Sequence, residues 1–267
     1  RIFMRLNLNY FLKHYGLIIE LTKREFLGRY LGSFVGGFWS LIQPVFLLTV
    51  YTIAFGIILK AKWGFAGNTI DYAFILFAGL IVYNAFTETL NKSPMLILGN
   101  TNFVKKIVFP LEILPIIVVI TALINASISV LIWLVGYWVL VGSPPLTFIM
   151  FPIVFISFTP LLLGFSWLIS ALGVFVRDLG PITFMISHTL LFLTPIFYSI
   201  DAAPDMIQDL LVLNPLTYIV QQLRLVLFYG EMPYYIAIGI YFFLSSLFAL
   251  LCFVFFKKVR PYFGDLV

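Results

Sequence analysis

Between Leu210 and Gly230 the chain reads LLVLNPLTYIVQQLRLVLFYG. Whether this stretch crosses a membrane decides the topology. Its length suffices, since a spanning helix needs roughly 20 mostly apolar residues. Its chemistry argues otherwise. Asn214-Pro215 breaks it near the start, and Gln221, Gln222 and Arg224 follow. An arginine at mid-span costs about 3 kcal/mol on insertion scales.

The rest of the chain supplies the frame for that decision. Of 267 residues, 62% are hydrophobic and 10% charged, against about 25% charged in a soluble domain. Composition therefore specifies an integral membrane protein. Six stretches have spanning length and apolarity: about 36–59, 72–90, 113–141, 147–176, 182–200 and 234–256. With six spans and the N-terminus inside, only Lys60, Lys62 and Arg224 of the 16 Lys and Arg residues fall outside. A seventh span would move Lys257, Lys258 and Arg260 outside, against the positive-inside bias. The reading is an all-α membrane protein with six transmembrane helices. Residues 1–34 form an N-terminal interfacial amphipathic helix on the cytoplasmic side, and 35–256 form the transmembrane domain. Within it, 201–233 is an outer, re-entrant pair of half-helices between the fifth and sixth spans, broken at Asn214-Pro215. Residues 257–267 are a cytoplasmic tail. Backbone dipping into the membrane must be buried in protein or line a water-filled cavity, so this segment is expected at the mouth of a pathway.

The stretch ELTKREFLGRYLGSFVGGFW, from Glu20 to Trp39, leads into the first span. Apolar residues recur at Leu8, Leu12, Tyr15, Ile19, Phe26 and Tyr30, close to one helical stripe. Glu20 with Arg24, and Glu25 with Arg29, form acid-before-base pairs four apart. A helix of this kind lies in the membrane interface. Gly28, Gly32 and Gly36 share one face. They serve either close helix packing in lipid or a hinge into the first span.

Several function classes are excluded or weakened. There is no G-x-x-x-x-G-K phosphate loop, so ATP hydrolysis by this chain is not expected. Cys252 is the single cysteine, which rules out an internal disulfide or a cysteine metal cluster. The net charge of +5 is explained by membrane orientation and not by nucleic acid. An ion-coupled carrier would bury central carboxylates or repeat itself, and neither pattern is present. A membrane-embedded transferase would need clustered acids or histidines at a wet face. Asp201, Asp205 and Asp209 come nearest, but they fit helix-start charges better.

Candidate pathway residues follow from residue type. Tyr51 in the first span, with Phe192, Phe197 and Tyr198 in the fifth, offer rings for sugar C–H faces and a hydroxyl for sugar hydroxyls. The alternative is an interfacial aromatic belt. Gln221, Gln222 and Arg224 are polar in an apolar segment and are read as an outer gate. Glu88 closes the second span and snorkels inward. Asn84, Asn125 and His188 are read as interhelical hydrogen-bonding residues.

Four stretches together carry a resemblance: LTKREFLGRYLGSFVGGFWSLIQPV, VFVRDLG, LTPIFYSI and LNPLTYIVQQLR. In that order they resemble the permease subunits of type-2 ABC exporters. In particular they resemble the polysaccharide-export (Wzm-like) branch, which carries O-antigen, capsule or teichoic-acid chains. The resemblance implies a bacterial inner-membrane protein with both termini cytoplasmic. It implies a homodimer, two cytoplasmic ABC ATPase subunits that bind ATP and magnesium, and a lipid-linked polysaccharide as cargo. This chain itself would hold no cofactor and no metal. The inner segment SPMLILGNTNFVKK, with Pro94, Asn100, Asn102, Lys105 and Lys106, would be the coupling helix. Arg24, Glu25 and Arg29 would touch the same ATPase or, alternatively, lipid headgroups. The alternative cargo within the class is a drug or simple lipid.

Overall fold

The computed structural model describes residues 14–28, 38–58, 69–104 and 109–266. The described residues form helices and connecting turns, with no strand among them. In chain order the main helices are α1 (Tyr15–Gly28), α2 (Trp39–Tyr51), α3 (Thr69–Lys92), α4 (Ile113–Leu140), α5 (Phe151–Phe175), α6 (Leu179–Leu193), α7 (Asp205–Leu213), α8 (Pro215–Arg224) and α9 (Tyr235–Val259). Helix α2 runs on as a π-helix over Thr52–Ile58, and α8 over Leu225–Tyr229.

Four helical stretches are long and apolar enough to cross a membrane: Ile70–Lys92, Ile113–Leu140, Leu146–Phe175 and Tyr235–Tyr262. The chain is thus a multi-pass membrane protein. Two expected spans are shorter as helices. Helix α6 has 15 residues, about 22 Å at 1.5 Å per residue, against a hydrocarbon core of about 30 Å. It stops at Leu193 because Thr194 precedes Pro195 and takes an extended conformation. The expected fifth segment, 182–200, therefore ends in non-helical chain. Helix α2 contains Pro44, and its neighbouring segments 29–37 and 59–68 lie outside the described residues.

Helix α3 is the hub. Its side chains from Tyr72 to Tyr83 are buried without a break. Trp133 of α4 donates its indole N–H to the Phe74 carbonyl at 2.9 Å, and its ring meets Phe74 edge-on at 5.4 Å. An apolar stretch such as 72–83 is what a position surrounded by neighbours requires. Helix α9 is more apolar still, yet leaves many large side chains exposed, including Ile236, Phe243 and Leu251. In a bilayer such exposure has no cost, because the surrounding solvent is itself apolar. Helix α9 packs closely along α5, because a Cβ at Gly164 would land 2.5 Å from the Phe248 ring and 3.2 Å from the Ala249 backbone.

Helix α1 lies against α4 and uses two faces. Ile18 and Thr22, four apart, are buried. Tyr15 and Ile19, from the apolar stripe, are exposed. The N-terminal end of α4 and the C-terminal end of α9 are joined by an ion pair, Arg260 Nη1 to Glu112 Oε1 at 2.7 Å, with Nη2 on the Phe109 carbonyl. Glu112 is fully buried while Arg260 is partly exposed. Arg260→Ala strands a buried carboxylate, and we expect a loss of about 2 kcal/mol, below the range for fully buried pairs because one partner is wet. Thermal unfolding in detergent checks this. Glu112→Gln should lose less, since the charge it leaves unpaired, on Arg260, is partly exposed to solvent.

Candidate functional site

The segment after α6 is built on a sharp break. Helices α7 and α8 meet at 89°. Asn214 accepts a hydrogen bond from the Leu216 N–H at 3.0 Å, and Pro215 occupies the first helical position. Asparagine cap followed by proline is a strong helix start. The Asn214 amide also donates to the Leu193 carbonyl at 3.1 Å and the Thr194 hydroxyl at 3.0 Å. The break is thereby pinned to the end of α6.

Helix α8 buries most of its surface, including Gln222 and Arg224. Arg224 donates from Nε to the Ile75 carbonyl at 3.0 Å, from Nη1 to Pro195 at 2.7 Å and from Nη2 to Ile196 at 2.8 Å. The Thr194–Ile196 break exposes carbonyls that no helix satisfies, and the guanidinium fork meets them. This explains how an arginine sits among apolar helices. Gly79 makes room for it, since a Cβ there would lie 2.8 Å from Nη2. Gln222 accepts from the Tyr234 N–H at 3.1 Å. Of the three polar residues read as an outer gate, Gln221 is exposed, while Gln222 and Arg224 tie the segment to the bundle. Beside them lies a cavity of about 480 Å³, with Asp201, Tyr218, Gln221, Tyr229 and Tyr234 in its wall.

The four aromatic candidates converge on the region after α6. Tyr51 and Phe197 pack against Tyr72, Leu76 and Ile196. Phe192 is exposed, with its ring 6.2 Å from Phe197. Tyr198 donates to the Phe192 carbonyl at 2.8 Å.

At the end of the bundle where α3 finishes, Arg24 is exposed and Glu25 accepts from Lys92 Nζ at 2.9 Å. Pro94 is buried, and its carbonyl meets Gly173 of α5 where a Cβ would overlap the backbone. Ser93 and Ser166 share a 3.0 Å hydrogen bond beside that contact. The Asn100 amide donates to the Leu96 carbonyl at 2.8 Å, and Asn102 is exposed. Leu98–Asn100 is a 3₁₀ turn and Thr101–Val104 a short helix. Gly28 is exposed, with open space where a Cβ would stand. Arg29, Gly32, Gly36, Lys105 and Lys106 lie outside the described residues.

One constellation escaped the sequence reading. Asn84, Thr87, Glu88 and Asn91 stand at i, i+3, i+4 and i+7 on α3 and form a polar stripe on an otherwise apolar helix. Lys92 lies 3.6 Å from Glu88 as well as 2.9 Å from Glu25. The Asn125 amide of α4 donates to Glu88 at 3.0 Å, an interhelical bond of the kind expected of Asn125. Ser187 of α6 donates to Asn91 at 3.0 Å. His188 is exposed and its Nδ1 lies 2.9 Å from the Phe184 carbonyl. The signal was the helical spacing of four polar residues, hidden by considering Asn84 and Glu88 singly.

Comparison with known proteins agrees with this architecture. The family model described as "ABC-2 type transporter" matches residues 16–228. An O-antigen export system permease protein RfbA of Myxococcus xanthus is 27% identical over 225 residues, 82% of either chain. A protein of the same name from Klebsiella pneumoniae is 24% identical over 237 residues, 88% of either chain.

Proposed function

The chain belongs to the ABC-2 type transporter family, and from that premise we propose that it is the permease half of an ATP-driven exporter of a lipid-linked polysaccharide. The carrying observation is the similarity, over more than four-fifths of both chains, to proteins named as O-antigen export permeases. Two copies form the channel, and two separate cytoplasmic ATPase subunits bind ATP and magnesium. Each copy crosses the inner membrane six times, with α2 and α6 as the first and fifth spans and both termini cytoplasmic. The bent pair α7–α8 enters the outer half of the membrane and turns back. The burial of α8 and its anchoring through Arg224 support that reading, because bent backbone at membrane depth must be satisfied by protein.

The inner segment around Pro94, Asn100 and Asn102, continuing to Lys105 and Lys106, is the ATPase-coupling element. Arg24, Glu25 and Arg29 flank it. Firm seating of Pro94 on Gly173 supports this role, since a coupling element must move α5 rather than slip past it. Tyr51, Phe192, Phe197, Tyr198 and Gln221 form the outer part of the conduit. Gly28, Gly32 and Gly36 contribute to dimer packing. The exposed Tyr15 and Ile19 on α1 lie in the lipid interface.

The test is purification of the full chain from its own membranes in mild detergent, with stoichiometry by native mass spectrometry. An ABC ATPase recovered one-to-one, in a particle holding two copies of each, is the expected result. A homo-oligomer without ATPase, under conditions that preserve other such complexes, overturns the proposal.

A further inference from the structure

Helix α8 presents two different faces. Leu216, Ile219, Val220 and Leu223 are buried in the core of the bundle. Tyr218, Gln221, Gln222 and Leu225 stand at i, i+3, i+4 and i+7 and share the opposite face. That face lines the cavity of about 480 Å³, and Tyr229 and Tyr234 extend its aromatic wall. Gln221, Tyr229 and Tyr234 are exposed, so the cavity is open on their side. Its volume lies within the roughly 300–1,000 Å³ of ordinary ligand sites, which combine aromatic and apolar walls with a few polar groups.

Two hydroxyls at this place lack partners. Tyr218 Oη is buried and makes no hydrogen bond among the described residues, and the same holds for Tyr241 Oη of α9. The two rings stack, with centroids 5.2 Å apart and planes inclined by 24°. Buried polar groups are almost always paired, and one left unpaired costs free energy. The cavity that Tyr218 lines is where a partner can enter.

Possible occupants differ in how they meet these groups. A single water takes about 30 Å³ of liquid volume and leaves most of the space unfilled. An acyl chain fills the space but gives the phenol nothing to bond. A polyhydroxylated ring does both. Its hydroxyls pair with the Tyr218 phenol and the Gln221 amide, each of which donates and accepts. Its C–H faces pack on the tyrosine rings.

We propose that this cavity, built by residues of one chain, binds a sugar unit of the cargo. Tyr218 and Gln221 supply the hydrogen bonds, Tyr229 and Tyr234 the stacking surfaces, and Tyr241 backs the Tyr218 ring. The proposal rests on the exporter reading for the identity of the cargo.

The experiment uses the full chain expressed in its native cells. Tyr234 is replaced by the photo-crosslinker p-benzoylphenylalanine, and in a control chain Ile236 is replaced instead. Ile236 is also exposed but does not line the cavity. After irradiation each chain is purified under denaturing conditions, hydrolysed and analysed for bound monosaccharide. We expect sugar on the first chain and severalfold less on the control. Adding Tyr218→Phe should lower the captured sugar severalfold, as the loss of one hydrogen bond implies. In the otherwise unaltered chain, the same change should leave the melting temperature in detergent unchanged or raise it. It removes a buried hydroxyl that no described residue pairs. No sugar on the first chain, equal sugar on both, capture unmoved by Tyr218→Phe, or a melting temperature lowered by it overturns the proposal. The readout needs no ATPase. A chain that captures sugar as expected but recovers no ATPase keeps the site and loses the exporter reading. One that recovers the ATPase and captures no sugar does the reverse.

Discussion

Replacing Arg224 by leucine is expected to cost at least about 4 kcal/mol, since three charge-assisted hydrogen bonds contribute about 1.5–3 kcal/mol each. A loss of that size lowers the melting temperature by roughly 8–16 °C. The cause is specific. Arg224 is buried, and the carbonyls of Ile75, Pro195 and Ile196 accept from its three nitrogens. Leucine fills the space but leaves those carbonyls desolvated. Arg224→Lys should recover part of the loss, because one ammonium cannot reproduce a planar fork. Gly79→Ala provides the control for mechanism. In the wild-type chain its Cβ crowds the Nη2 atom, 2.8 Å away. In the leucine variant that clash partner is gone, so the two changes should be non-additive. Strict additivity of the two melting shifts would show that the guanidinium is not held where the structure has it.

Gly173→Ala is expected to have the larger effect on function. Its added Cβ would overlap the Pro94 carbonyl and backbone. A flexible side chain can swing away, but backbone cannot, so the 93–98 turn must lift off α5. Overpacking of this kind costs about 1–3 kcal/mol, occasionally more. We expect ATPase recovery in the pull-down to fall severalfold while the chain still reaches the membrane. Gly180→Ala is the matched control. It sits in helix α6, with open space where its Cβ would stand, and alanine there should be neutral or stabilise slightly. Undiminished recovery with Gly173→Ala would remove the coupling role assigned to the Pro94 turn.

The contrast between these positions marks the limits of reading the chain. Nothing in the sequence separates Gly173 from Gly180, because the difference lies in what packs opposite each. Arg224 is similar. Its presence in an apolar stretch signals a special role, and residue type suggests a gate. Only the location of the broken Thr194–Ile196 carbonyls assigns it to anchoring. Polar stripe spacing on α3 was legible in principle, since i, i+3, i+4 and i+7 place Asn84, Thr87, Glu88 and Asn91 on one face. What was not legible is that Lys92 turns toward both Glu88 and Glu25, 67 positions away.

By itself, the sequence determined the solvent and the class of element. Long apolar runs can be stable only as helices in a bilayer, because every backbone group must be satisfied internally where no water reaches. The Asn214-Pro215 break was equally readable, because proline's missing N–H and fixed φ act locally. Tertiary structure alone decided which apolar helix became the buried hub. Helices α3 and α9 both have spanning length and apolarity, yet one is enclosed and the other leaves many apolar side chains exposed. In a bilayer the surrounding solvent is as apolar as the core. Hydrophobicity therefore cannot sort buried from exposed faces, and shape, small residues and a few polar bonds do the sorting instead.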